Sequence, residues 1–124
     1  MIRIVDYGVG NIQAFVTMFK RLGLPAERAH TSADLTDATR LILPGVGAFD
    51  HAMQLLNQSG MRESLESMVL GQQVPVLGVC VGMQMLASGS DEGVLPGFYR
   101  NKRWLVGLGA NVMRWLGMEK RFFR

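Results

Sequence analysis

Cysteine is nearly absent from this chain of 124 residues; Cys80 is the one thiol. A single cysteine excludes an internal disulfide framework and by itself says little about compartment. Histidine is almost as scarce, with only His30 and His51. No apolar run reaches the length needed to span a membrane. Met1 to Asp6 runs straight into a strand-like segment, so no secretory leader is expected. Internal repeats and low-complexity tracts are missing too. Disulfide scaffolds, membrane spans and repeat arrays are thereby set aside, and the cytoplasm is the expected location.

The rest is ordinary in bulk and uneven in detail. The length and an apolar fraction of 48% suit one domain with a real core. The formal net charge of +3 misleads as an average. Residues 1–97 carry six Lys or Arg against nine Asp or Glu, a net of −3, whereas residues 98–124 carry seven against one, a net of +6. The expected organisation is therefore a patterned part, 1–97, and a basic, atypical tail, 98–124. Tyr99, Trp104, Trp115, Phe122 and Phe123 in the tail would suit nucleic acid. No recognised nucleic-acid motif accompanies them, so no such partner is expected, and no membrane.

Within residues 1–97 the hydrophobic period switches repeatedly between two and 3.6. Ile2 to Asp6 reads as a strand, and Asn11 after the Tyr7-Gly8-Val9-Gly10 loop can cap a helix. Ile12, Phe15, Val16, Phe19 and Leu22 make its apolar stripe, and Gly23 stops it. Ala26 to His30 is a weaker strand, followed by at most a short helix at Ala33 to Leu35. Arg40 to Leu43 is a third strand, ended by Pro44. After the glycine-rich loop Pro44 to Phe49, Ala48 to Leu56 and Met61 to Leu70 read as helices. Val74 to Val79 is a buried strand, and the helix after it runs to about Ala87. This alternation predicts an α/β fold: a three-layer, mainly parallel sheet with right-handed crossovers. Ligands on such sheets sit beyond the carboxyl ends of the strands, where Asp6, Pro44 and Cys80 all fall.

Cys80 carries the chemistry. Gly78 and Gly82 flank it two residues away on either side, between strand and helix, which is the nucleophile-elbow pattern. The tight turn leaves no room for side chains at the flanking positions, and the helix N–H groups favour the thiolate. Without that context a lone cysteine reads as a small buried hydrophobe. Attack by Cys80 on an amide carbonyl would give an oxyanion and then a thioester. The amide of Val81 is one available donor to that oxyanion, and the Gly45-Val46-Gly47 loop is the candidate for a second.

Three motifs occur in order: Asp6-Tyr7-Gly8-x-Gly10-Asn11, Leu43 to Phe49, and Leu77 to Gln84. Together they resemble the class I glutamine amidotransferases, and most closely the glutaminase subunits of imidazole glycerol phosphate synthase, of histidine biosynthesis. Ser90 to Gly93 and Pro96-Gly97 extend the resemblance. It implies a flavodoxin-like sheet and a Cys-His-Glu triad that hydrolyses glutamine, with no cofactor and no metal. The ammonia would pass to a cyclase partner, a (β/α)8 barrel, in a heterodimer. Cys80 would be the nucleophile, Gly47 and Val81 the oxyanion-hole residues, and Gln84 a substrate-binding residue. Gly8 and Asn11 would face the cyclase. The implied His and Glu belong to a later part of such proteins and have no counterpart in these residues. His30 and His51 read as ordinary polar residues. The expectation is thus a C-terminally incomplete member, inactive alone.

Three other readings remain open. Gly8-Val9-Gly10 after a strand has two glycines of a dinucleotide fingerprint, with Gln13 in place of the third and Glu27 as the ribose acid. Alternatively, the chain is a non-catalytic interaction fragment, or serves a surface-sugar amidotransferase instead of the cyclase.

Overall fold

The structure is a computed structural model that describes residues 1–86. Four strands, β1 (Ile2–Val5), β2 (Ala26–Ala29), β3 (Arg40–Gly45) and β4 (Val76–Cys80), pair in the order β2-β1-β3-β4, every pair parallel. The helices are α1 (Ile12–Arg21), α2 (Phe49–Gln58), α3 (Arg62–Glu66) and α4 (Val81–Met85). Alternation along the strands sorts side chains to two faces. Ile2, Ile4 and Ile42 pack with Ile12 and Phe19 of α1. Val5, Leu41, Leu43 and Val76 pack on the other face with Phe49, Ala52, Met53, Leu56 and Leu65 from α2 and α3. Each such large side chain contributes about 1.5–3 kcal/mol on burial, so both faces must be covered. The result is the three-layer α/β fold expected from the sequence. Among the described residues no helix is long and apolar enough to cross a membrane.

β1 and β2 each end one residue early, at Val5 and Ala29, β4 runs over Val76–Cys80 instead of Val74 to Val79, and three further boundaries differ from the sequence expectation. β3 does not stop at Leu43 but runs through Pro44 to Gly45. The backbone explains why. Leu41 N donates to Pro75 O on the β4 side. Alternation then turns Leu43 and Gly45 towards β4, and Ile42 and Pro44 towards β1. Pro44 has no N–H to give to β1, so the β1 ladder ends with Ile4 opposite Ile42, and β3 continues to Gly45 through its pairing with β4. The second difference is at α2, where Ala48 is the cap rather than a helical residue. Third, the stretch expected as one helix over Met61 to Leu70 is α-helical only to Glu66. It closes with a π-helical turn, Ser67–Gly71. The end of the helix at Ala87, the Ser90 to Gly97 motif and the tail lie outside the described residues.

Arg3 ties β1 to its neighbours. Its Nε and Nη2 donate to the Asp37 carboxylate at 2.8 and 3.0 Å, and Nη1 donates to Glu27 Oε2 at 3.2 Å and to the Arg28 carbonyl at 3.1 Å. The Arg3 hydrogen bond holds the Asp37 carboxyl below its ordinary range. Asp34 is lowered too, first by the His30 backbone N–H. Folded-state values below the unfolded ones mean stabilisation present above about pH 4 and lost as pH falls through the folded values. The thermal midpoint is therefore expected to fall below about pH 4, and Arg3→Gln to flatten that fall. Thermal scans of both proteins across acid pH check this; parallel curves would refute the Arg3–Asp37 assignment.

Candidate active site

The carboxyl edge of the sheet brings the sequence-predicted residues together. Cys80 is the last residue of β4 and caps α4, with φ 55° and ψ −122°. These are the angles of the first central residue of a II′ turn, which side chains rarely adopt. Among the described residues only Gln73 and Cys80 are non-glycines at positive φ. Such a conformation costs roughly 1–3 kcal/mol and persists only when its surroundings over-determine it. Three glycines do so. A Cβ on Gly82 would overlap the Leu43 carbonyl oxygen, and one on Gly78 would sit 2.6 Å from Met83 Cα. A Cβ on Gly45 would stand 2.6 Å from Gly82 N and 3.1 Å from the Val81 carbonyl carbon. Bare backbone of β3 and β4 thus closes on the turn, and the thiol is left exposed.

Register places the other groups. Gly45 is opposite Cys80 and Pro44 is opposite Val79. Two residues past Gly45, Gly47 sits at φ +81° with no atom near the place of a Cβ. Val81, half-buried, opens α4 directly after the nucleophile. The backbone of both residues therefore lies on chain adjoining Cys80. Gln84 lies one turn along α4. Its Oε1 is buried and has no hydrogen-bond partner among the described residues. An orphaned buried acceptor is costly and invites a donor from a ligand.

The β1–α1 loop carries Gly8 at φ +108° and Asn11. Asn11 Oδ1 accepts the Ala14 N–H at 3.2 Å, so it is the helix cap, and it is exposed. Asn11→Ala is expected to cost about 1 kcal/mol in denaturant unfolding, and Asn11→Ser a few tenths or less. Equal losses would show that capping is not what Asn11 contributes to the fold.

Neither histidine is hydrogen-bonded to Cys80 among the described residues. His30 comes directly after β2, at the opposite edge of the sheet, three strand spacings or about 14 Å away. Its Nδ1 lies 3.4 Å from Asp6 Oδ2, which Arg28 also approaches at 3.4 Å. His51 is exposed on α2. The dinucleotide reading gains no support: Glu27 lies within β2, opposite Arg3 and paired with it, and not at the carboxyl edge, and Gln13 accepts from Arg28 Nη2 at 2.7 Å.

Sequence reasoning missed Tyr7. It is buried, and its hydroxyl donates to the Pro44 carbonyl at 2.5 Å. Burial pushes the phenol above its usual range, so it stays protonated and remains a donor. The available signal was a phenol directly after a buried strand, since a buried Tyr hydroxyl usually finds a partner.

Comparison with known proteins agrees with this geometry. Residues 10–94 match the model of the CobB/CobQ-like glutamine amidotransferase domain. The imidazole glycerol phosphate synthase subunit HisH of Bdellovibrio bacteriovorus is 58% identical over 124 residues, covering 93% of this chain and 61% of that protein. That similarity reaches past residue 97. The HisH subunit of Leptospira interrogans is 48% identical over 97 residues, covering 78% of this chain and 48% of that protein. The chain thus spans about half to three-fifths of these relatives. A crystal structure of a glutamine amidotransferase superposes with a TM-score of 0.61 at 24% identity, over 71% of this chain and 46% of that one, which is a likeness of fold. Motifs, sheet and family match agree, and this chain belongs to the class I glutamine amidotransferases.

Proposed function

We propose that this chain is the nucleophile-bearing part of a glutaminase subunit of imidazole glycerol phosphate synthase. It attacks glutamine through Cys80, and the tetrahedral adduct expels ammonia to leave a thioester; passage of that ammonia to a cyclase partner and hydrolysis of the thioester complete the family reaction. The observation that carries the reading is the exposed Cys80 held at φ 55° by close-packed glycine backbone, with Gly45 of the neighbouring strand opposite it. The Cys80 thiolate adds to the side-chain amide carbon, and its carbonyl becomes an oxyanion. The Val81 amide and the Gly47 loop supply the donors, and each such donor is worth about 10²–10³-fold in rate. Gln84 helps hold the substrate with its unpartnered oxygen. Gly8 and Asn11 face the cyclase, a (β/α)8 barrel, and the location is cytoplasmic. The domain boundary near residue 97 belongs to the same proposal.

A second reading is supported by the two histidines, neither of them hydrogen-bonded to the thiol. Residues 1–124 would then bind glutamine and a partner without completing turnover. The test is labelling by a chloromethyl ketone analogue of glutamine, read by intact mass. The proposal expects one adduct, lost in Cys80→Ala and slowed by excess glutamine. Labelling that glutamine does not slow would refute a glutamine site at Cys80.

A further inference from the structure

Tyr7 is the buried polar group that the proposed chemistry does not use. A phenol has one proton to give, and the bond to the Pro44 carbonyl takes it. The 3.3 Å approach to Met85 Sδ is then packing against α4. The Pro44 carbonyl needs this donor. It faces the β1 side of β3 one step beyond the end of β1 at Val5, and among the described residues no backbone N–H bonds to it. The Tyr7 side chain therefore stands in for a strand.

Beyond Gly45, which pairs with Cys80 of β4, the loop is held by little else. Gly45 and Gly47 have no side chains, and Val46 is 52% exposed. From the other side Gly10 approaches the proline, a Cβ there falling 3.2 Å from Pro44 Cβ. The Tyr7 hydroxyl is 3.0 Å from the Cβ position of Gly45, the same point that lies against Gly82 and Val81. One hydroxyl thus touches the strand leading to one oxyanion donor where it meets the turn carrying the other.

We infer that Tyr7 is a positioning residue: by holding the Pro44 carbonyl it fixes the Pro44–Gly45 peptide, and so the Gly47 loop, against Cys80 and Val81. The inference rests on the glutaminase reading above.

The experiment compares two alkylations of Cys80 in the full chain. The chloromethyl ketone analogue of glutamine forms an S–C bond and releases chloride, with its ketone oxygen where the oxyanion would develop. Iodoacetamide also forms an S–C bond, releasing iodide, but reacts at a saturated carbon and develops no oxyanion. Rates are taken well below each variant's thermal midpoint. Tyr7→Phe keeps the ring and removes the donor. It is expected to slow the ketone about 10-fold or more, approaching the about 10²–10³-fold of a donor lost outright, and to leave the iodoacetamide rate unchanged. Met85→Leu removes the sulfur contact, keeps the Pro44 bond and is expected to leave both rates unchanged. A merely structural role would move both rates together in Tyr7→Phe, or move Met85→Leu equally, and either result overturns the inference. Wild-type protein that reacts with the glutamine ketone no faster than with chloroacetone overturns the glutaminase reading itself. Wild-type preference that survives intact in Tyr7→Phe overturns the inference alone.

Discussion

Incubated with glutamine, the polypeptide of residues 1–124 is expected to release no ammonia above a Cys80→Ala blank, although Cys80 is covalently labelled by a glutamine-analogue electrophile. The two results separate because they ask different things of the site. Labelling needs an exposed thiol and a shaped turn, both present. Turnover needs a group that protonates the departing ammonia and then activates water on the thioester. The two histidines of the sequence are His30, held beside Asp6 across the sheet, and His51, exposed on α2. Neither has Glu two residues on, as the family triad implies. General acid–base help is typically worth about 10²–10⁴-fold, and members of such a unit act together, so losing the base costs more than that share. Addition of a cyclase partner is not expected to restore turnover. Ammonia measured with and without that partner checks the expectation. Cys80-dependent release at an intact glutaminase's rate would mean that a base is in reach, with His51 the first residue to replace.

Gly82→Ala is expected to destabilise the fold by on the order of 4 kcal/mol or more, against a total of about 5–15 for a domain. The added methyl would occupy the place of the Leu43 carbonyl oxygen, and backbone on both sides leaves no rotamer to escape into. Relief requires β3 and α4 to part. Gly47→Ala makes the contrast. Nothing lies near its Cβ position, so only the positive φ of 81° is penalised, by about 1–2 kcal/mol. Urea unfolding of both variants checks the pair. Similar losses would show that the contact around Gly82 relaxes freely.

Much of this arrangement is legible in the amino-acid order. The stripe from Ile12 to Phe19, the apolar strands and the glycines about Cys80 are local signals, and local physics produced them as elements. Three features were not local. Pro44 reads as a strand terminator, yet β3 continues past it because its other side pairs with β4. The helix after Met61 keeps a helical pattern through Leu70, yet ends in a wider π turn that no periodicity distinguishes. The pairing of Gly45 with Gly82 joins two glycines that each look like ordinary turn residues. Tyr7 was hidden for the same reason: its role depends on a carbonyl brought beside it by tertiary structure.

The enclosure of the Cys80 turn also sets when in folding a reactive thiol can exist. A positive φ at a cysteine is not held by β4 and α4 alone, since the atoms that enforce it include the Leu43 and Pro44 backbone. Those atoms arrive only when β4 docks on β3. Until then the segment is free to relax to ordinary angles, and Cys80 is one thiol among many in the cell. The reactive group is therefore a product of strand pairing, and a chain that stalls before that step exposes no shaped nucleophile.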